Sequence, residues 1–163
     1  MTEVEIGVFA MAMIDDVNRP GDLRANVGLD AVSKLQKLSV DIERGFTKMV
    51  EKAEPAFQAT AKRFLDLHSH HVGRLNNMVR EMGGEPDADG SLMGSVNVAV
   101  VSVRAAFDTI DLGVMDLVRS GEDNVVSAFD RAIAAGLPQA HRGALTQMKS
   151  ELTRLLDETR TLG

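Results

Sequence analysis

The sequence predicts an all-α fold, a bundle of four long helices with an extra short helix in the connection between its two halves. Three observations predict it. Apolar residues recur three and four positions apart through most of the chain, the spacing that puts them on one face of a helix. No run alternates apolar and polar residues as a half-buried strand does. The composition is poor in aromatics, with six Phe and no Tyr or Trp, and rich in Met, Ala, Val and Leu. That mix suits helix packing better than a β-sandwich.

At 163 residues the chain is long enough for one domain with a real core. Residues 1–28 read as an N-terminal arm and residues 29–163 as the bundle domain. From Leu29 the period is clean: Val32, Leu35, Ser39, Ile42, Phe46, Met49 and Ala53 form one seam, which predicts a helix over 29–53. Pro55 is tolerated in the first turn of a new helix but not inside one. A second helix is therefore expected over 56–82, with Phe57, Ala61, Phe64, His68, His71, Leu75, Met78 and Met82 as its seam. Gly83-Gly84 can close it in the left-handed conformation, and Pro86 blocks continuation.

The polar run EMGGEPDADGSLMGS follows at 81–95. Residues 83–94, fully extended, reach roughly 40 Å, about the length of a helix. A crossover along the bundle is the preferred reading and a plain turn the alternative. A phosphate loop is disfavoured, because GEPDADGS lacks a Gly-Lys-Ser/Thr ending, carries acids and follows no strand. A short helix should begin near Ser91–Ser95, with Val96, Val100, Val103 and Phe107 on one face and Val98, Val101 and Ala105 on another. So apolar a helix is buried on most sides or sits at a subunit interface. A break is expected near 109–112, where Asp111 can cap a new helix. The next long helix spans about 112–135 on Met115, Val118, Glu122, Val125, Phe129 and Ala132. Gly136 ends it, and Pro138 opens the last helix, about 138–160, on His141, Leu145, Met148, Leu152, Leu155, Thr159 and Leu162.

Composition excludes several functions. There is no cysteine, so thiol nucleophiles, disulfides and Cys–zinc sites are absent. The formal net charge of −6 argues against a general nucleic-acid binder. No apolar run approaches a membrane span. The N-terminus carries Glu3 and Glu5 before its apolar stretch Ile6–Ile14, the wrong charge for a secretory leader, and the expected location is cytoplasmic.

Chemistry could reside on the seams. His68 and His71 are three apart on one helix and share a face. Glu122 lies near the middle of another helix, on its own seam. If the helices pack in register, these three groups meet at mid-bundle, and two imidazoles with a carboxylate can hold Zn, Fe or Mn. Glu51, near a helix end, is a fourth candidate. The plainer alternative is a hydrogen-bonded His–Glu pair that fixes helix register. Asp66 and His70 read as a solvated surface pair, and His141 as packing or capping. Ser69 neighbours two histidines, but adjacent helical residues point apart, and no catalytic residue is assigned.

Three marks carry a resemblance to a family. They are Gly83-Gly84-Glu85-Pro86 followed by Gly90-Ser91-Leu92-Met93-Gly94, the Gly-Glu-Asp of SGEDNVVSAFDRAI at 120–133, and the Gly45-Phe46 pair followed by Glu51. Over roughly residues 32–160 the chain resembles an uncharacterised bacterial family of ferritin-like four-helix-bundle proteins. Ferritin-like folds commonly hold two metals with carboxylates and Glu-x-x-His pairs. The resemblance matches Glu51 and Glu122 to family glutamates. The chain departs elsewhere: no Glu is followed by His three residues on, Arg74-Leu75 stands where the family has Glu-Leu, and Leu155 stands where a His is expected.

The expected function is that of a non-catalytic, oligomeric structural or interaction protein with a degraded metal site. Its homo-oligomeric or protein partner would be met through the apolar helix near 96–107 and the N-terminal arm. The alternative is an iron- or manganese-binding oxidase or iron-handling protein that uses His68, His71, Glu122 and Glu51. A third reading is an amphipathic coat or adaptor that opens on an apolar surface.

Overall fold

The structure, a computed structural model, describes residues 20–89 and 110–162. Four α-helices lie in this part: α1 (Pro20–Lys52), α2 (Pro55–Glu81), α3 (Met115–Ile133) and α4 (Gln139–Glu158). A 3₁₀ turn at Leu112–Val114 leads into α3. The described residues are thus all-helical, with an isolated bridge between Ala53 and Ile110. The arm before Pro20 and the short helix expected within 91–109 lie outside the described residues.

The helices are less equal than the sequence suggested. They hold 33, 27, 19 and 20 residues. α1 starts at Pro20, ahead of the expected Leu29, because a proline suits a first helical turn and Asp22 places a negative charge there. α3 starts late, because Asp111 takes the Gly113 N–H on its carboxylate (2.8 Å) and sets a 3₁₀ turn first.

Contacts at the helix ends fix the topology. Glu54 donates its N–H to the Ile110 carbonyl at 2.8 Å, so the junction of α1 and α2 lies beside the approach to α3. At the other end, a Cβ on Gly28 would come within 2.8 Å of Leu137 and 3.6 Å of Met82, so the start of α1 lies against the ends of α2 and α3. His141 at the start of α4 lies 3.9 Å from Glu81 at the end of α2. Arg63 near the start of α2 pairs with Glu158 at the end of α4. α1 is therefore antiparallel to α2 and α3, and α4 is antiparallel to α2 and α3. The chain between α2 and α3 must connect opposite ends of the bundle.

The opening of that connection is strapped to α1. Gly83 (φ 84°) takes the left-handed conformation that closes α2. Gly84 follows, so close to Leu29 that a Cβ would sit 2.8 Å from its Cδ1. Buried Gln36 then donates to the Asp87 carbonyl (2.8 Å) and accepts the Asp87 N–H (3.2 Å). Arg44, two turns further along α1, donates to the carbonyls of Ala88 (2.8 Å) and Asp89 (2.5 Å). Residues 83–89 thus run along α1 towards the Ile110 end, as a crossover must.

The core follows the seams. α3 buries Met115, Val118, Glu122, Val125, Phe129 and Ala132, and α2 buries Phe57, Ala61, Phe64, His68, His71, Leu75 and Met78. α4 contributes Leu145, Met148, Leu152 and Leu155. On α1, Val32, Leu35, Ser39 and Phe46 are buried, whereas Ile42 and Met49 are half-buried. No helix in this part is long and apolar enough to cross a membrane.

Candidate functional site

The middle of the bundle holds a layer of buried histidine and glutamate side chains. His68 and His71 stand one turn apart on α2 and point inward because both occupy the α2 seam. Glu122 occupies the equivalent seam of α3. The His68 Nε2 lies 3.0 Å from Glu122 Oε1, with side-chain exposures of 1% and 2%. His71 does not share this carboxylate. Its Nε2 lies 2.9 Å from Oε2 of Glu151 on α4. Glu151 also accepts from Gln147 Nε2 at 3.0 Å and faces Arg74 Nη1 at 3.5 Å.

Rings frame the layer. Phe46 of α1 stacks on Phe64 at 5.2 Å and on His68 at 5.4 Å. The rings of His68 and His71 are 6.3 Å apart and edge to face, and His71 meets the α3 residue Phe129 at 5.8 Å. All four helices touch the layer: α1 by Phe46, α2 by the histidines, α3 by Glu122 and Phe129, α4 by Glu151.

Burial sets the protonation of His71. Loss of water around the ring lowers its pKa from 6.5 to about 4, outweighing the hydrogen bond and the charge of Glu151, which pull the other way. His71 is therefore neutral at pH 7. Burial works to raise Glu151, but the hydrogen bonds from His71 and Gln147, with the positive charge of Arg74, hold it below the ordinary carboxylate range. An ionised carboxylate only accepts, so His71 carries its proton on Nε2 and donates it. The Nδ1 lone pair is then left inside the core. His71 Nδ1, His68 Nδ1 and Glu122 Oε2 are all buried without a hydrogen-bond partner among the described residues.

The structure brings together some of the expected residues and not others. His68 meets Glu122, and His71 lies beside His68. Glu51 lies at the exposed C-terminal end of α1, 3.5 Å from Lys48, and makes none of the contacts of the layer. Among the described residues no three His, Asp or Glu side chains cluster closely enough to hold a metal ion. The expected surface pair of Asp66 with His70 is replaced by Asp66 with Lys62 at 2.9 Å. Glu151 is the residue that sequence reasoning missed. Its signal is that it is the acidic residue of α4 that lies away from the helix end, next to the seam residue Leu152.

Comparison with known proteins adds a family and little else. No curated protein and no solved structure matches the chain. A family model does match, over residues 28–135, a span that holds α2, α3 and most of α1 together with His68, His71 and Glu122, and leaves Glu151 outside. With most of its length and three residues of its polar layer inside that match, the chain belongs to the family described as a domain of unknown function, DUF2383.

Proposed function

We propose that the protein is a ferritin-like bundle with a structural or interaction role in the cytoplasm, self-associating and non-catalytic, whose mid-bundle layer fixes helix register. One observation carries the reading: each buried imidazole commits its Nε2 to its own carboxylate, and each carboxylate comes from a different helix. A pair of that kind is a fastener. It ties α2 to α3 at one level and α2 to α4 one turn away. Leu23 and Leu117, exposed by 49% and 44%, are open to self-association, and the sequence adds the apolar stretch 96–107 as a second candidate.

A second reading rests on a separate observation, the three buried polar atoms of the layer that have no hydrogen-bond partner among the described residues. Imidazole and carboxylate donors suit Fe, Mn or Zn, and in this reading His68, His71 and Glu122 are the ligands. Glu51 joins them only if it leaves Lys48 and turns inward. The present pairs would first have to open.

Two variants separate the readings. Losing one partner of a buried pair leaves the other stranded and costs about 3–5 kcal/mol, whereas replacing both by apolar residues is often neutral. The fastener reading therefore expects Glu122→Leu to be strongly destabilised and His68→Leu/Glu122→Leu to recover most of the loss. Metal content is measured on the same proteins, expressed with iron, manganese and zinc supplied. A stoichiometric metal lost in His68→Ala or Glu122→Ala would carry the second reading and end the first. A monomeric mass by light scattering would remove self-association.

A further inference from the structure

Between the first half of α1 and the C-terminal part of α3 runs an open groove of about 480 Å³. Its floor is Ala31, Leu35 and Leu38 of α1 and Ala128 of α3, and Arg131 stands on its rim with Lys34 and Asp30, which pair with each other at 2.7 Å. Val27 lies at the mouth, more than half exposed. Alanines on the floor leave room for larger side chains to enter from outside. A cleft with an apolar floor and one cation at its edge outside an ion pair on that rim, Arg131, fits an apolar segment flanked by acids.

The chain carries such a segment a few residues before the start of α1. Residues 6–14 read IGVFAMAMI, with Glu3 and Glu5 before them and Asp15 and Asp16 after. Phe and Met suit an irregular apolar gap, Met because it bends to the space available. The reach is sufficient. The six steps from Ile14 to Pro20, where α1 begins, span at most about 20 Å. Val27 and Ala31 lie about 10 and 16 Å along the helix from Pro20. Asn18 and Pro20 favour a reversal between the two.

We propose that this groove is the seat of residues Ile6–Ile14 of the same molecule, folded back along α1. The arm's acids then face Arg131, while Lys34 keeps its pair with Asp30. Of the two apolar segments that need covering, the arm finds its cover within its own chain, which leaves 96–107 for a second copy. The proposal does not depend on self-association or on the role of the polar layer.

The absence of cysteine allows a direct test. Ala10→Cys is combined with Ala31→Cys on the groove floor, or with Ala134→Cys at its α3 wall. The control pairs Ala10→Cys with Ser150→Cys on the exposed face of α4. Mild oxidation should give an intramolecular disulfide, a faster-running monomer on a non-reducing gel, on the order of 10-fold faster for the groove pairs than for the control. Equal rates overturn the proposal. So does a product found only as a dimer, which would put a second copy's arm in the groove. As a second measurement, deletion of residues 2–17 should raise binding of an apolar dye, and a synthetic peptide of residues 1–17 should reverse it. Dye binding that does not change on deletion, or that the peptide does not reverse, also overturns it.

Discussion

Acid should weaken this protein through one buried ring. His71 has a pKa of about 4 in the fold and 6.5 when exposed. The fold therefore favours the neutral ring. Above pH 6.5 neither state is protonated there, and nothing is lost. As pH falls from 6.5 to about 4 the unfolded chain takes up a proton that the folded chain refuses, and stability drops with each step. Below about 4 both states are protonated and the loss stops growing. A gap of roughly 2.5 pH units, at about 1.4 kcal/mol per unit, amounts to about 3–4 kcal/mol in full, of which about 3 kcal/mol is lost by pH 4. Glu151 works in the same direction lower down. Its pKa is held below 4.5 in the fold, so its contribution is present above that value and is lost as pH falls through the folded value. The perturbation is His71→Leu, which removes the titrating ring and leaves Glu151 its bonds to Gln147 and Arg74. The assay is urea denaturation at pH 7.5, 6.0, 5.0 and 4.0, approximately half-unit control being sufficient for a step of this size. Wild type should lose about 3 kcal/mol more than the variant between the first and last of these. Parallel profiles for the two proteins would refute the argument, because the burial of a neutral imidazole at this position would then have no linkage to folding.

Three further outcomes follow from other contacts. Phe46→Ala removes the ring that stacks on both Phe64 and His68, and chemical denaturation should report a loss of about 3–5 kcal/mol. Gln36→Leu cuts both hydrogen bonds to Asp87 and the one to Asn76, so residues 84–89 should become cleavable by a protease under conditions where wild type is resistant, with a global loss of about 1–3 kcal/mol. Arg119 of α3 donates to the carbonyls of Thr159, Arg160 and Leu162, and Arg119→Ala should speed amide exchange at 159–162 while the centre of α4 keeps its protection.

Much of the bundle could be read from spacing alone. The seams of α2 and α3 are legible because a helix buried on one face must repeat every three to four residues. His68 and Glu122 face each other because both stand on such seams. What spacing does not carry is the choice of partner across helices. Glu151 sits one step off its seam and is partly exposed, so it resembles any solvated glutamate. Only the packing of α4 on α2 brings it to His71. Gln36 is similar. A polar residue beside Leu35 gives no local sign that its partners lie 40 and 51 positions away. Glu51 shows the converse. Its position near the end of α1 puts it on an exposed turn, where it pairs with Lys48 on the same helix. The start of α1 was obscured because residues 20–28 contain few seam residues, Leu23 and Val27 being exposed.

The position of the polar layer follows from what the rest of the bundle lacks. The core is mostly Val, Leu, Ala and Met around Phe46, Phe57, Phe64 and Phe129, and sliding one helix by three or four residues would still keep its apolar seam facing inward. The connection from α2 to α3 spans the bundle, and a long connection restrains register weakly. Something in the side chains must therefore choose one alignment. Sliding α3 parts Glu122 from His68, sliding α4 parts Glu151 from His71, and sliding α1 takes Phe46 off the His68 ring. Each slip strands at least one buried polar group or opens a stack, while the hydrophobic gain stays about the same. Buried polar pairs are poor sources of net stability but good selectors among near-equal packings. The strap of Gln36 and Arg44 on residues 87–89 does the same for the crossover, since both side chains read backbone carbonyls at fixed points along α1. The two devices share α1 and α2, so the hairpin those helices form is the frame on which the second hairpin is aligned.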